Sequence, residues 1–176
     1  SIAKTNNIDI TGRDAINDYL TSFKLFKNMG DYITLNVSCP NTKDGKAFCY
    51  DIGLLDNLLK NVNKINRNKP VFLKIPLDVS QEQLSRIIRL SKKYDINALI
   101  ISNLGKDRTK LKLKTDKENI KNYPGGISGM PIKEITNNLI KDAYELSNGK
   151  LTLIGCGGIF NANDAYEKLK LGSSLL

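Results

Sequence analysis

Histidine and tryptophan are absent from this 176-residue chain, and cysteine occurs only three times. Without histidine a Ser-His-Asp triad is impossible, and zinc sites lose their commonest nitrogen donor. Cys39, Cys49 and Cys156 stand at unrelated spacings with no CxxC pair. Such sparse, odd-numbered thiols argue against a disulfide framework and for a reduced, cytosol-like compartment. No run of about 18 apolar residues is present to span a bilayer. The opening residues, Ser1 to Asn7, lack the basic-then-apolar pattern of a signal peptide. No GxGxxG follows the first strand-like run, which weakens a dinucleotide-binding open sheet.

What the chain does have is charge and a regular rhythm. The net charge is +9, but the lysines are scattered among Asn and Ile, and no nucleic-acid-binding signature accompanies them. Solvated lysines on outer helix faces account for this balance, although a basic surface also suits anionic ligands or anionic lipid. Short β-branched runs at 32–37, 70–75, 98–102 and 151–154 read as strands buried on both faces. Amphipathic segments lie between and after them, at 14–28, 53–65, 80–94, 132–147 and 162–171. The first carries Ile16, Leu20, Phe23 and Phe26 on one stripe, and Ser80-Gln81-Glu82-Gln83 is a capping-box pattern. Alternating strand and helix predict a single α/β domain over 1–176 with a parallel sheet. Periodicity alone leaves a closed barrel and an open doubly wound sheet both standing.

Residues 106–123 interrupt this rhythm. The stretch is dense in Lys, Asp and Asn, and reads as a long solvated loop of the kind that covers ligands in α/β enzymes. Ser1-Ile2-Ala3 resembles the tail of a strand and Ser173 to Leu176 the start of one. The expectation is therefore a barrel incomplete at both ends.

Four features carry chemistry. Asn36-Val37-Ser38-Cys39-Pro40-Asn41-Thr42 directly follows a strand, where parallel α/β folds gather functional groups. Its amides can pair with a planar heterocycle and its thiol can move a proton; the plainer reading is an Asx-rich turn with a structural cysteine. Lys74 lies inside an apolar strand, where a buried ammonium needs an anion, an electron-rich ring or a cross-sheet carboxylate. Asn103 follows the next strand at the corresponding position. Gly125-Gly126-Ile127-Ser128-Gly129 and Gly155-Cys156-Gly157-Gly158 are turns whose N–H groups can approach an anion, as in the phosphate site late in a barrel. Either turn alone is ordinary turn chemistry.

Taken in order, these residues resemble the dihydroorotate dehydrogenase family, from the third strand of its (β/α)8 TIM-type barrel to the start of the eighth. The specific part is the Asn36 to Thr42 run; the glycine turns are shared with other flavin barrels. The resemblance implies an FMN-dependent oxidation of dihydroorotate to orotate in pyrimidine synthesis. It places Cys39 as the base acting on C5, with hydride passing from C6 to the flavin. Asn36, Asn41 and Asn103 would hold the pyrimidine, and Asn36 also the cofactor. Lys74 would sit at the flavin's N1 and O2 edge, while Ser128, Gly129, Gly157 and Gly158 would contact the FMN ribityl and phosphate. Leu104 departs from the hydroxyl residue usual beside Asn103.

The electron acceptor is less determined. A cysteine base, Gly45-Lys46 and Tyr50-Asp51 resemble the soluble class, which uses fumarate or a partner subunit. Thr42 and Pro124 to Pro131 resemble the quinone-linked class, usually with a serine base, and tip the balance that way. The expected location is cytoplasmic, with quinone linkage placing the protein on the cytoplasmic face of the inner membrane. No metal and no nucleic acid are expected, and a homo-oligomer is left open. A related flavin barrel acting on dihydrouracil and a non-catalytic phosphate-binding barrel are the competing readings. The fragment expressed alone is expected to bind FMN poorly.

Overall fold

The computed structural model describes residues 1–38, 48–66, 68–115, 117–120, 122 and 125–176, apart from the side chains of 117 and 118. Five strands, β1 (Ile2–Ala3), β2 (Ile33–Asn36), β3 (Val71–Ile75), β4 (Ala98–Ile101) and β5 (Thr152–Gly155), form one sheet in sequential order. Every neighbouring pair is parallel. Beyond β5, a parallel bridge joins Ile154 to Leu175 and continues the sheet.

Among the described residues six α-helices accompany them: α1 (Gly12–Phe26), α2 (Ile52–Asn63), α3 (Gln81–Lys93), α4 (Lys117–Ile120), α5 (Lys133–Ser147) and α6 (Ala162–Lys170). Contacts run α1 to α2, α2 to α3, α3 to α5 and α5 to α6, so the long helices follow one another along a single face. Sequential parallel strands with helices on one face form the wall of a (β/α) barrel. A doubly wound sheet would reverse its order and carry helices on both faces.

The strand period divides the sheet. Leu35, Leu73, Leu99 and Leu153 pair across β2 to β5, and each is 0% exposed. Burying such a side chain stabilises the fold by about 1.5–3 kcal/mol. The alternate positions Asn36, Lys74, Ile100 and Ile154 also pair in register and are half-buried on the opposite face.

Helix termini follow local chemistry. Asp51 caps α2 by accepting from Leu54 N–H, and Ser80 and Gln83 form the expected capping box on α3. The α1 stripe is rotated relative to the sequence reading. Tyr19 is fully buried with Ile16 and Phe23, whereas Phe26 is exposed and Leu20 only half-buried.

The described part of the 106–123 stretch is likewise less solvated than its composition predicts. Gly105 and Ile127 exchange both backbone hydrogen bonds, at 2.9 and 2.7 Å. Asp107 caps a 3-10 turn at Arg108–Lys110, and Leu111 is buried in the core. The alternation Lys110-Leu111-Lys112-Leu113-Lys114 thus anchors Leu111 in the core, with Leu113 partly buried against it, under a basic surface.

Candidate active site at the carboxyl ends of the strands

The described residues among those singled out by sequence lie at or just beyond the carboxyl ends of β2 to β5 and in the glycine turns. Asn36, the last residue of β2, is the register partner of Lys74 on β3. The Asn36 carbonyl accepts from the Tyr19 hydroxyl at 2.8 Å, which ties α1 to the end of β2. Asn103 follows β4, and its N–H donates to the Ile75 carbonyl at 3.1 Å, holding it beside the end of β3.

Ser38 joins the two amides. Its hydroxyl donates to Asn36 Oδ1 at 2.5 Å and accepts from Asn103 Nδ2 at 2.5 Å. The Ser38 N–H also approaches Asn36 Oδ1 at 3.3 Å, and Asn103 Oδ1 accepts from Leu104 N–H at 2.9 Å. Both amide oxygens are therefore committed. Among the described residues, the Asn36 NH2 group and one N–H of the Asn103 NH2 remain available. The arrangement presents donors and suits an acceptor-rich, planar ligand. Sequence reasoning gave Ser38 no role of its own; only the fold reveals that it spans Asn36 and Asn103.

Lys74 is half-buried rather than enclosed, because the face it occupies is open. Among the described residues it makes no hydrogen bond or ion pair, so no cross-sheet carboxylate neutralises it there. Its ammonium adds positive charge beside the amide donors.

The two glycine turns come together next to this group. A Cβ on Gly157 would lie 2.9 Å from Ile132 Cδ1, and one on Gly158 would lie 2.7 Å from Lys133 Cα. Both glycines have positive φ, 103° and 69°. Close packing against the start of α5 and the backbone angle thus both require glycine. Phe160 lies 3.6 Å from where a Cβ of Gly129 would be, linking the second turn to the first. The N–H groups of Ser128, Gly129, Gly157 and Gly158 have no acceptor among the described residues. Unmatched backbone donors on two abutting turns fit the phosphate and polyol end of a flavin nucleotide.

Cys39 and Asn41 lie outside the described residues, as do Thr42, Gly45, Lys46 and Pro124. The two other thiols are described. Cys49 is fully buried, and burial pushes its pKa from 9.0 up to about 12, which disqualifies it as a base near neutrality. Tyr50 rises to about 12 through burial, with Cys49 and Asp78 adding to the effect. Cys156, half-buried, sits in the last glycine turn. Among the described residues no group of three or more acidic, His or Cys side chains is placed to hold a metal.

A barrel wall with amide donors, a lysine and an anion-receptive glycine pair at its carboxyl rim defines a site suited to a planar, acceptor-rich, anionic ligand. The sequence profile of dihydroorotate dehydrogenase matches residues 2–176. The chain belongs to the dihydroorotate dehydrogenase family. It is 40% identical over 167 residues to the dihydroorotate dehydrogenase (quinone) of Trichodesmium erythraeum, covering 92% of this chain and 44% of that protein. With the protein of the same name from Trichormus variabilis, identity is 37% over 166 residues, covering 92% and 44%. The chain thus spans less than half the length of these relatives. Ligand-free DHODH from Eimeria tenella superposes with a TM-score of 0.80 at 24% identity, covering 96% of this chain and 50% of that one. The same enzyme in complex with ferulenol gives 0.75 at 22%, covering 91% and 47%. These neighbours are TIM barrels, and the likeness establishes the fold of the present chain as part of such a barrel wall.

Proposed function

We propose that the protein oxidises dihydroorotate to orotate in pyrimidine synthesis, with FMN as cofactor and quinone as final acceptor. The observation that carries this reading is the Asn36–Ser38–Asn103 relay beside Lys74 at the ends of three adjacent strands. The donors left on Asn36 and Asn103 match the carbonyl and carboxylate acceptors of a dihydropyrimidine. Asn41, in the same segment as Ser38, adds a third amide to the substrate set.

Cys39 follows Ser38 directly and acts as the general base, its thiolate removing the C5 proton of dihydroorotate. A bound FMN would supply the hydride acceptor for C6 of the substrate. Lys74 would hold the N1 and O2 edge of a bound flavin, where its charge would favour negative charge on the ring. Asn36 contributes to the same edge, and Ser128, Gly129, Gly157 and Gly158 hold the ribityl and phosphate through their free N–H groups. The "(quinone)" in the names of the relatives favours quinone over fumarate. No helix among the described residues is long and apolar enough to cross a membrane. Quinone linkage implies peripheral contact with the cytoplasmic face of the inner membrane.

The test is steady-state oxidation of dihydroorotate by the full-length protein, with decylubiquinone and fumarate compared as acceptors. Cys39→Ala is expected to lower kcat by about 10²-fold or more with the flavin still bound. Cys39→Ser retains part of the rate and shifts the rising, acidic limb of its pH profile upward, because a hydroxyl is the weaker acid and loses its proton at higher pH. Full activity in Cys39→Ala, or turnover of dihydrouracil in preference to dihydroorotate, sinks the reading.

A further inference from the structure

Lys168 is a buried lysine that neither the catalytic reading nor the strand motifs use. It lies on α6 with 0% exposure, among the largest fully buried side chains of the protein. Its ammonium donates to Asn137 Oδ1 on α5 at 2.7 Å. No carboxylate bonds to it among the described residues. The nearest acids serve another cation: Lys133 takes Asp164 at 2.7 Å and Glu167 at 3.3 Å. The surrounding hydroxyls do not serve it either, since Thr136 Oγ1 and Ser173 Oγ are buried without a hydrogen-bond partner.

A buried cation held by a neutral amide destabilises a fold unless something offsets it. Methionine would fill the same space without that cost. The position of the charge therefore calls for an explanation, and the two glycine turns provide one. The Lys168 side chain passes behind β5, its Cδ 3.2 Å from where a Cβ of Gly155 would be. The next residues are Cys156, Gly157 and Gly158. Lys168 bridges α6 to α5, the helices that begin just after these two turns. Asn137 lies one helical turn beyond Lys133, whose Cα abuts Gly158. The lysine thus packs behind the strand end that leads into the turn carrying these N–H groups. Burial pulls the lysine's pKa down, Glu167 and Asp164 oppose that, and Lys133 adds to it. The interior position shields its charge from screening by salt.

We propose that Lys168 is an electrostatic positioning residue for the phosphate of the cofactor: from behind the Gly155 to Gly158 turn it supplies the positive potential that makes the N–H cradle selective for a dianion. This rests on the flavin-nucleotide reading above. Lys168 touches no ligand itself. Its effect is confined to the phosphate, which separates it from a purely structural role.

The experiment compares FMN with riboflavin, which has the same ring and polyol but no phosphate. Both are titrated into the flavin-depleted full-length protein and followed by flavin fluorescence. Lys168→Met is expected to raise the Kd for FMN roughly fivefold to thirtyfold, while the Kd for riboflavin stays within about twofold. Should Lys168→Met not fold, Asn137→Asp decides the matter. It keeps the hydrogen bond and volume but places a neutralising carboxylate against the ammonium, and is expected to weaken FMN selectively in the same way. Equal loss for both flavins, or no loss for either, overturns the role of Lys168 and leaves the flavin reading intact. A wild-type protein that binds neither flavin overturns both.

Discussion

Removing the Ser38 hydroxyl is the most incisive test of the site geometry. The residue is 1% exposed and its oxygen makes both bonds of the relay, one to Asn36 and one from Asn103. Two neutral hydrogen bonds contribute about 1–3 kcal/mol together. Both amides are half-buried, so water recovers part of that in Ser38→Ala. The expected loss of stability is about 1–2 kcal/mol, or roughly 2–8 °C in Tm for a chain of this size. The larger effect falls on ligand binding. In the wild type both amides are pinned before ligand arrives. In the variant each must be immobilised on binding, at about 0.5–1.5 kcal/mol per side chain. The Kd for orotate, titrated into the full-length protein, should therefore rise about 5-fold to 150-fold. Because Asn103 acts through Ser38, the double variant Ser38→Ala/Asn103→Ala should lose less than the sum of the singles, by about 0.5 kcal/mol or more. Unchanged orotate affinity alongside a lowered Tm, or strict additivity, would refute the relay as a positioning device.

Two further outcomes follow from the packing. Leu73, at the centre of the leucine ladder and 0% exposed, should destabilise the protein by about 2–5 kcal/mol when changed to Ala, read as a lowered urea midpoint. Cys49 governs alkaline stability. Its folded pKa of about 12 lies above the ordinary 9.0, so above pH 9 the unfolded chain loses this proton while the folded chain keeps it. Stability is then fully present below pH 9 and is lost as pH rises toward 12, by an amount on the order of 4 kcal/mol. Tyr50 adds to the loss between pH 10 and 12. Cys49→Ala should flatten this decline in a pH series of chemical denaturation, and a decline of unchanged slope would count against the burial argument.

Much of the fold was legible because strand and helix periods are local properties. The four full strand runs lie within a residue or so of β2 to β5, and the Ser80 capping box was readable from four letters. Periodicity did not decide between a barrel wall and an open sheet, since the sequential order of β1 to β5 is a long-range fact; the motif resemblance supplied the incomplete barrel. Tyr19 escaped notice for a related reason. A tyrosine reads as half-polar on a helix, and only tertiary structure shows its hydroxyl reaching the Asn36 carbonyl while its ring meets Phe48 edge-on at 5.2 Å. Lys168 was hidden more completely. Within Tyr166-Glu167-Lys168-Leu169-Lys170 it is indistinguishable from its exposed neighbour Lys170, and nothing local signals that one lysine points inward.

The placement of the site follows from the same residues that hold the fold. The ladder Leu35–Leu73–Leu99–Leu153 faces the helices, and strand geometry puts the next residue of each strand on the opposite face. A one-residue slip of β3 against its neighbours would drive Lys74 into the leucine layer and swing Leu73 into the open. The cost of burying an unpaired ammonium against α2 and α3 opposes that slip as strongly as loss of leucine burial does. Lys74 therefore helps to specify register, and register in turn sets it beside Asn36 on the open face. Mutating the ladder should then loosen flavin binding without touching a single ligand contact.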